Sequence, residues 1–302
     1  MAKELSKGSI KFIKEIIEKT EGQGKYRSSE KFCDLVEKLA EKHGFDVVGE
    51  GTNRIIVEND KGNVLKIAHS KMGFIDNRFE ELITKNISTY SPKVKHRFAK
   101  TICHNIDSSL FIEQKKEVCI TDIVDEDSLG KKSPNAVRYL LGKFDDYLEM
   151  IKDVSKYYFL SDVFLNRPRN IGENENLLII DYGYLIPLNM LEGIELDNGV
   201  RVVNGKMWCS CATDKDIEEG NKDKMLKYYV PNIPKMLKDA GIKKGGKASS
   251  EIIEKITNRN NSQAVEKYVC KCDKKFPSRM LHESFIDALF EDEKKKDKKK
   301  KK

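Results

Sequence analysis

The sequence predicts an α+β fold in which antiparallel strands are followed by a mainly helical half. Apolar residues repeat at helical spacing in residues 5–20 and 29–44, and the period becomes strand-like from residue 45 onward. Helical spacing then returns in residues 133–158 and again after residue 215. This order of helices, strands and helices is typical of α+β proteins.

These patterns divide the 302 residues into four segments. We predict a helical N-terminal extension, a small antiparallel-sheet lobe, a mainly helical lobe with a cysteine-containing insertion, and a disordered lysine-rich tail, over residues 1–44, 45–115, 116–290 and 291–302. The sheet lobe includes one helix, predicted over residues 77–86. Residues 194–208 predict a second hairpin, with its turn at residues 197–199.

The composition predicts a soluble protein of the cytoplasm without a membrane partner. No apolar run approaches the roughly 18–20 residues that a membrane span needs, and residues 1–8 lack the apolar core of a signal peptide. The net charge of +7 comes from the lysine-rich residues 294–302, so the remainder is near neutral. We expect this lysine-rich tail to make weak, salt-dependent contacts with nucleic acid or acidic partners, with a solubilising role as the alternative.

Candidate anion-binding residues lie in the predicted sheet lobe. Gly49 and Gly51 frame a turn in which backbone N–H groups can approach phosphates without a side chain in the way. Lys66 lies inside the apolar strand VLKIA, so its ammonium either reaches the rim or is aimed at an anion. Glu80, on the next predicted helix, is placed to hold that ammonium. Taken singly, each also fits an ordinary hairpin glycine or surface charge.

Oxygen-bearing side chains follow in the second half of the chain. The apolar segment LLII ends in Asp181 and a glycine turn, which is a common way to present a carboxylate to a metal. Asn170 and Asp162 lie upstream. Because Mg²⁺ prefers oxygen ligands, the Asn170 amide and the Asp181 carboxylate are candidate ligands. An ordinary strand-end turn is the alternative.

Read in order, the segments GEGTNR, VLKIA, NRFEE, SDVFLNRPRNIG and IIDYG resemble the signature of the protein-kinase-like superfamily. Within it, the chain resembles the compact kinase-like proteins of tailed bacteriophages. Those proteins pair a K-I-A strand with a G-x-x-x-N-x-x-E segment and favour N-x-G before a D-Y-G turn. The resemblance spans roughly residues 45–190 and leaves out the helical extension and the C-terminal hundred or so residues.

The resemblance implies a two-lobed fold that binds ATP and Mg²⁺ and transfers a phosphoryl group. It implies that Lys66 contacts the α- and β-phosphates and that Glu80 pairs with Lys66. Asp162 would accept the proton of the attacking hydroxyl, while Asn170 and Asp181 would bind Mg²⁺. The phosphate acceptor, a protein hydroxyl or a small hydroxylated molecule, stays open. A viral protein of this kind would act in the host cytoplasm.

The resemblance also implies a nucleotide site built from backbone groups. Gly49 and Gly51 would belong to the glycine-rich loop over the phosphates. The segment FIEQ, which contains Glu113, would be the hinge that meets adenine through its backbone.

The sequence departs from the kinase signature in four places. Arg54 replaces the third loop glycine, and Leu-Ser replaces the His-Arg that would precede Asp162. The interval from Asp162 to Asn170 is eight residues rather than five, and no A-P-E follows Asp181. These departures favour, as the alternative function, a catalytically silent kinase-like binding module.

Two C-x-C pairs are candidate zinc ligands: Cys209 with Cys211, and Cys270 with Cys272. Tetrahedral zinc takes four soft ligands at ~2.3 Å, which two short loops brought together would supply. A second version of this site adds His282. C-x-C is tighter than the usual spacing, and reduced, unligated thiols are the alternative. A zinc site together with the lysine-rich tail leaves a third function open, that of a nucleic-acid-associated zinc protein. The near-neutral charge of the rest of the chain disfavours this function.

Overall fold

A computed structural model describes residues 5–20, 29–104, 110–124, 133–163, 165, 167–231, 233, 235, 238, 267–272 and 275–300. Over these residues the fold is mixed α+β with several small antiparallel sheets, which confirms the predicted class. The chain forms two compact units. The first comprises residues 1–131 and 169–183, and the second comprises residues 132–168 and 184–302.

The first unit is built on a five-stranded antiparallel sheet with strand order β1-β2-β3-β5-β4. Its strands are β1 (Asp46–Glu50), β2 (Arg54–Glu58), β3 (Asn63–Ala68), β4 (Thr101–His104) and β5 (Phe111–Lys115). The helix between β3 and β4 is α3 (Lys71–Tyr90), longer at both ends than predicted. The predicted antiparallel sheet with one helix, over residues 45–115, is therefore confirmed.

Two helices of the N-terminal extension complete the core of this unit. They are α1 (Lys7–Thr20) and α2 (Ser29–His43). Their apolar stripes pack in one cluster with the alternate residues Ile55, Val57, Leu65 and Ile67 of β2 and β3. Because side chains alternate across a strand, the residue between the last two, Lys66, points to the opposite face. The extension thus belongs to the same unit as the sheet.

A later segment returns to the first unit. A three-stranded sheet of order β6-β8-β9 joins β6 (Val118–Cys119) to β8 (Ile171–Glu173) and β9 (Leu177–Ile179), and a short helix α4 (Ile120–Ile123) follows β6. The division of the chain therefore differs from the predicted boundary at residue 115, since the hairpin of residues 169–183 lies with the sheet.

The second unit contains the remaining described elements. Its helices are α5 (Pro134–Gly142), α6 (Phe144–Val154), α7 (Asp214–Glu218) and α8 (Ser278–Lys300). Its strands are β7 (Tyr158–Phe159) with β10 (Ile186–Pro187), β11 (Arg201–Val203) with β12 (Lys206–Trp208), and β13 (Lys227–Tyr229), β14 (Lys267–Val269) and β15 (Lys275–Pro277) in one sheet. The helix predicted over residues 133–158 is two helices, divided at Lys143.

The turn of the β11–β12 hairpin lies at Asn204 and Gly205, not at the predicted residues 197–199. Both residues have positive φ, 54° and 64°, as a two-residue hairpin turn requires, and Asn-Gly is the pair best suited to it. Residues 197–199 form a separate turn, in which the N–H of Gly199 donates to the carbonyl of Leu196 at 2.7 Å.

Helix α8 extends to Lys300, into the segment for which the composition predicts disorder. Lysine has a good intrinsic helix propensity, so the helix can continue through the lysine run. None of the described helices is both long and apolar enough to cross a membrane.

Candidate functional site

A buried ion pair joins β3 to α3 in the first unit. The Lys66 Nζ lies 3.0 Å from Glu80 Oε2 and 3.1 Å from Oε1, so the predicted pairing of these residues is confirmed. The same ammonium donates to the carbonyl of Ile180 at 2.6 Å. Both side chains are buried, Glu80 completely. Burial lowers the pKa of Lys66, and the nearby Glu80 carboxylate opposes that shift.

Arg54 extends this pair into a network. From the start of β2, its Nη1 donates to Glu80 Oε1 at 2.7 Å and to Asn77 Oδ1 at 3.0 Å. Its Nη2 donates to Asp181 Oδ1. The guanidinium is buried, and it touches two of the predicted site carboxylates at once. Sequence reasoning noted Arg54 only as a departure from the glycine loop.

Asp181 lies where the β8–β9 hairpin ends. Burial alone would raise its pKa, but the positive charges of Arg54 and Lys66 outweigh that effect and lower the pKa to about 2. About a third of the side chain, 33%, stays accessible to solvent. Asp181 is therefore ionised at neutral pH, and part of the carboxylate faces solvent.

Asn170 lies at the same end of that hairpin. Its carbonyl accepts a hydrogen bond from the N–H of Ile180 at 2.9 Å, next to Asp181. The register pairs Ile171, the first residue of β8, with Ile179, the last residue of β9. Asn170 therefore directly precedes β8, and Asp181 follows β9 by two residues. The hairpin thus brings Asn170 and Asp181 to one edge of the first unit.

The residues after Asp181 anchor this turn. Tyr182 is buried, its hydroxyl lies 2.6 Å from Thr101 Oγ1 and donates to the carbonyl of Ala99 at 3.1 Å, and its ring lies 5.6 Å from Lys66 Nζ. Burial raises the pKa of the Tyr182 phenol, which keeps it protonated. The anchored tyrosine fixes where the preceding aspartate sits.

Asp76 is a buried carboxyl that sequence reasoning missed. Its Oδ2 accepts from Asn53 Nδ2 at 3.2 Å, while among the described residues its Oδ1 has no hydrogen-bond partner. Burial, helped by the negative charge of Asp181, raises its pKa to about 7. A Cβ on Gly183 would lie 2.5 Å from the Cβ of Asp76, so only glycine fits the turn there. Asp76 lies on the buried side of α3, and an acid at such a position is the sequence signal that could have identified it.

The predicted glycine loop is held against the start of α3. The carbonyl of Gly51 lies 3.0 Å from His69 Nε2, and the carbonyl of Asn53 accepts from the His69 N–H at 3.1 Å. The Ser70 hydroxyl, which caps α3, donates to Asn53 Oδ1 at 3.0 Å. A Cβ on Gly73 would lie 2.2 Å from the Asn53 carbonyl oxygen, so the loop and helix need this glycine to approach.

The structure places Glu113 inside the five-stranded sheet. This residue lies inside β5, which pairs with β3 on one side and β4 on the other, so its backbone belongs to the sheet. Its Oε1 accepts from Asn59 Nδ2 at 2.7 Å and from Asn63 Nδ2 at 3.0 Å. The predicted backbone contact between Glu113 and adenine stays a prediction, which the strand pairing on both sides disfavours. The strand ends two residues after Glu113, and Lys116 and Glu117 follow it.

Asp162 belongs to the second unit. Its φ of 59° lies in the left-handed region, which is uncommon for a residue other than glycine. Arg167 Nε donates to its Oδ1 at 2.7 Å. Unusual backbone angles of this kind cluster at functional sites.

The second unit also contains the cysteine cluster, which we define as Cys209, Cys211, Cys270 and Cys272. Its four sulfur atoms lie within 4.8 Å of one another, so the two predicted pairs do meet. Cys211 Sγ lies 3.1 Å from Cys209 Sγ and 2.7 Å from Cys272 Sγ, and Cys270 is joined to Cys272 as a disulfide. The cluster could hold a metal ion.

His282 is not a member of the cluster, which corrects the version of the site that includes it. The imidazole is buried against the rings of Phe159 and Tyr184, with centroids 6.3 Å and 5.6 Å away. Burial lowers its pKa to about 4, and its Nε2 has no hydrogen-bond partner among the described residues. It is a neutral core residue.

No protein-family model and no curated protein matches this chain.

Proposed function

We propose that this protein is an ATP- and Mg²⁺-dependent phosphotransferase with a two-lobed, kinase-like fold. One observation carries the proposal: the buried ion pair of Lys66 on β3 with Glu80 on α3, which has the ionised Asp181 beside it. In protein kinases a lysine on the third strand pairs with a glutamate on the next helix, and an aspartate after a later hairpin binds the metal. The strand, helix and hairpin positions agree with that scheme.

The proposed roles follow from the charges. Lys66, oriented by Glu80, binds phosphate oxygens of the nucleotide. Asp181 and Asn170 fit a hard cation, since they offer carboxylate and amide oxygens from the same end of one hairpin. Mg²⁺ held there would neutralise charge on the phosphates. The adenine contact is assigned to Lys116 and Glu117, where the chain leaves β5.

Asp162 is the proposed proton acceptor for the attacking hydroxyl. Its left-handed backbone and its bond to Arg167 give the carboxylate a fixed direction. The acceptor substrate is a protein hydroxyl or a small hydroxylated molecule. The proposed setting is the cytoplasm, or the host cytoplasm if the protein is viral, with weak contacts of the lysine-rich tail to acidic partners.

A second candidate is a catalytically silent kinase-like binding module, and Arg54 favours it. The guanidinium already neutralises Asp181 through one carboxylate oxygen, so a metal must either use the other oxygen or displace Arg54. A built-in cation at the metal position would let the unit keep its shape without nucleotide.

The two candidates differ in a binding and transfer experiment. The purified chain is heated with ATP, Mg²⁺ or both, and phosphoryl transfer to the chain itself, a generic protein and water is measured with labelled ATP. A phosphotransferase gains stability with both ligands, by about 2.7 kcal/mol at 100 times the dissociation constant, and also transfers phosphate. Stabilisation without transfer supports a silent module that still binds nucleotide. The absence of both stabilisation and transfer contradicts the phosphotransferase and supports a silent module whose shape Arg54 maintains without nucleotide.

Asp181→Asn tests the metal position. We expect it to remove the Mg²⁺-dependent part of ATP binding and to lower transfer by roughly 100-fold or more, because it deletes the charge that holds the cation. Asp60→Asn, which changes an exposed aspartate of the β2–β3 turn in the same unit, is the matched control and leaves both unchanged. Equal loss in the two variants would argue against a role for Asp181.

A further inference from the structure

The cysteine cluster lies outside the proposed phosphotransfer site and carries an inference of its own. Its two loops are far apart in sequence, with Cys211 and Cys272 separated by 61 residues. Cys209 and Cys270 are buried, whereas Cys211 and Cys272 are partly exposed. Four cysteine sulfurs from two separate loops therefore converge on one point within the second unit.

One short segment fixes both loops. The N–H of Cys209 donates to the carbonyl of Lys224 at 2.9 Å, and the N–H of Lys271 donates to the carbonyl of Asp223 at 3.1 Å. An ion pair of 2.9 Å between the side chains of Lys271 and Asp223 spans the same contact. Adjacent carbonyls thus hold a backbone N–H from each C-x-C loop. The backbone itself places the two loops side by side.

The first loop is also shaped locally. The N–H of Ala212 donates to the carbonyl of Cys209 at 2.8 Å, which closes a tight turn around Ser210. A Cβ on Gly199, whose φ is 76°, would lie 2.9 Å from the Cβ of Ser210, so the turn rests on bare glycine backbone. Thr213 then caps α7 through a capping box. This support presets the directions of the Cys209 and Cys211 side chains.

The spacing of the sulfurs suits a tetrahedral ion. Metal–sulfur bonds of ~2.3 Å put the sulfurs of a tetrahedral site about 3.8 Å apart. Apart from the bonded Cys270–Cys272 pair, the closest sulfurs are 3.2 Å, 3.1 Å and 2.7 Å apart, and all four lie within 4.8 Å of one another. Once a reductant has opened the disulfide, side-chain rotations that move sulfurs outward by about 1 Å or less would make room for an ion.

Four thiolates fit zinc and would form a closed site. Soft sulfur ligands in tetrahedral arrangement bind zinc or iron, and a site with four protein ligands leaves no position for substrate or water. Zinc with four thiolates carries a net negative charge. Lys224 Nζ, 3.8 Å from Cys211 Sγ, is a donor placed to offset it. The site is thus suited to holding structure rather than to catalysis.

The disulfide between Cys270 and Cys272 is the competing state of the same cluster. A bond across so short a loop removes little entropy from the unfolded chain, so it adds little stability. It also uses only two of the four converging sulfurs. One zinc ion would use all four and would tie the loop after β12 to the loop after β14.

We propose that the cysteine cluster is a structural zinc site that clamps these two loops of the second unit together. This proposal does not depend on the phosphotransfer function, because both loops lie within the second unit.

The first test measures metal in the full chain, purified without chelator and with a reductant. We expect about one zinc per chain. Cobalt exchanged into the site should give the intense thiolate-to-cobalt charge-transfer bands and the visible bands of a tetrahedral four-sulfur ion. This measurement needs no variant, so it stays decisive if a variant misfolds. Iron in place of zinc, or absorption typical of oxygen and nitrogen ligands, would overturn the proposal.

The second test uses a matched pair of cysteine variants. Cys209→Ser should lose at least about three quarters of the zinc, since it removes one of four ligands. Cys33→Ala, which changes a buried cysteine of the first unit, should keep it. Protein prepared without reductant is also titrated for thiols after denaturation in a metal chelator. Two fewer reactive thiols than the seven of the sequence, together with absent zinc, would establish the disulfide instead.

Discussion

The two units bury their polar groups by different means. In the first, Arg54, Lys66, Glu80 and Asp181 neutralise one another inside the chain. In the second, four cysteine sulfurs converge within 4.8 Å of one another, and we propose that a metal ion holds them together. The first unit carries its own counter-charges. Because these are ionisable side chains, the stability of this unit should depend on pH. The stability of the second should follow metal supply and redox state.

Metal removal should give the largest effect and act on one unit only. A strong zinc chelator should destabilise the second unit by roughly 5 kcal/mol, because structural zinc contributes directly to folding free energy. Trp208, the single tryptophan, is buried beside Cys209 and reports this unit by fluorescence. Hydrogen exchange should remain slow in β2 and β3. Equal loosening of both units would contradict a zinc site that stabilises only the second unit.

Arg54→Ala should produce the next largest effect, in the first unit. Removing one partner of a buried ion network leaves uncompensated charge, which costs about 3–5 kcal/mol. Arg78→Ala, which changes an exposed arginine of α3, should cost less than about 0.5 kcal/mol. Hydrogen exchange of the peptides that contain β2, β3 and β9 measures both variants. A cost for Arg54→Ala near that of the control would mean that the network is not stabilising.

Asp76 should make the first unit less stable as pH rises. Its pKa of about 7 lies above the ordinary value of 3.8, so the folded state binds more protons between these limits. Stability therefore falls as pH increases from about 4 to about 7 and then levels off, by roughly 4 kcal/mol in all. Asp76→Asn, which keeps an acceptor for Asn53, should flatten this slope. Urea unfolding from pH 4 to 8 measures it, and an unchanged slope would show that Asp76 stays ionised.

His282 should give a smaller slope of opposite sign in the second unit. Its pKa of about 4 lies below the ordinary 6.5, so the unfolded state binds more protons within that window. Stability therefore falls as pH decreases from about 6.5 to about 4, by roughly 3 kcal/mol. His282→Phe, which keeps a ring against Phe159 and Tyr184, should remove the slope. Trp208 fluorescence during urea unfolding tests this, and persistence of the slope would assign it to other groups.

The parts of the molecule that were predictable are those set by local patterns. Strand alternation and the position of the next helix allowed Lys66 to pair with Glu80, and the resemblance to kinases selected that pairing. The two C-x-C pairs were candidates to meet because two short loops brought together supply four sulfur ligands, with unligated thiols as the alternative. The turn between β11 and β12 was predicted at residues 197–199, because an aspartate–asparagine–glycine run there is also typical of a turn. Asn204 and Gly205 are the stronger turn signal, and the turn lies at these residues.

Long-range partners were beyond prediction. Nothing near Arg54 in the sequence indicates that it contacts Asp181, 127 residues away. The burial of Asp76 depends on Gly183, from a hairpin that only the fold brings alongside. The position of Glu113 within β5 was hard to predict for a related reason, because strand length, not composition, decides whether a residue lies within a sheet or just beyond its end.

The return of residues 169–183 to the first unit has a consequence for how the chain is made. Synthesis delivers Arg54 long before Asp181, so during translation the guanidinium has only Glu80 and Asn77 to satisfy it. The unit closes only after α5 and α6 have been made, and closure across so long a loop is slow. A nascent chain that stalls near residue 131 therefore exposes an unfinished edge to chaperones and proteases. The last piece of the first unit to arrive is the piece that carries its metal-binding aspartate in our proposal.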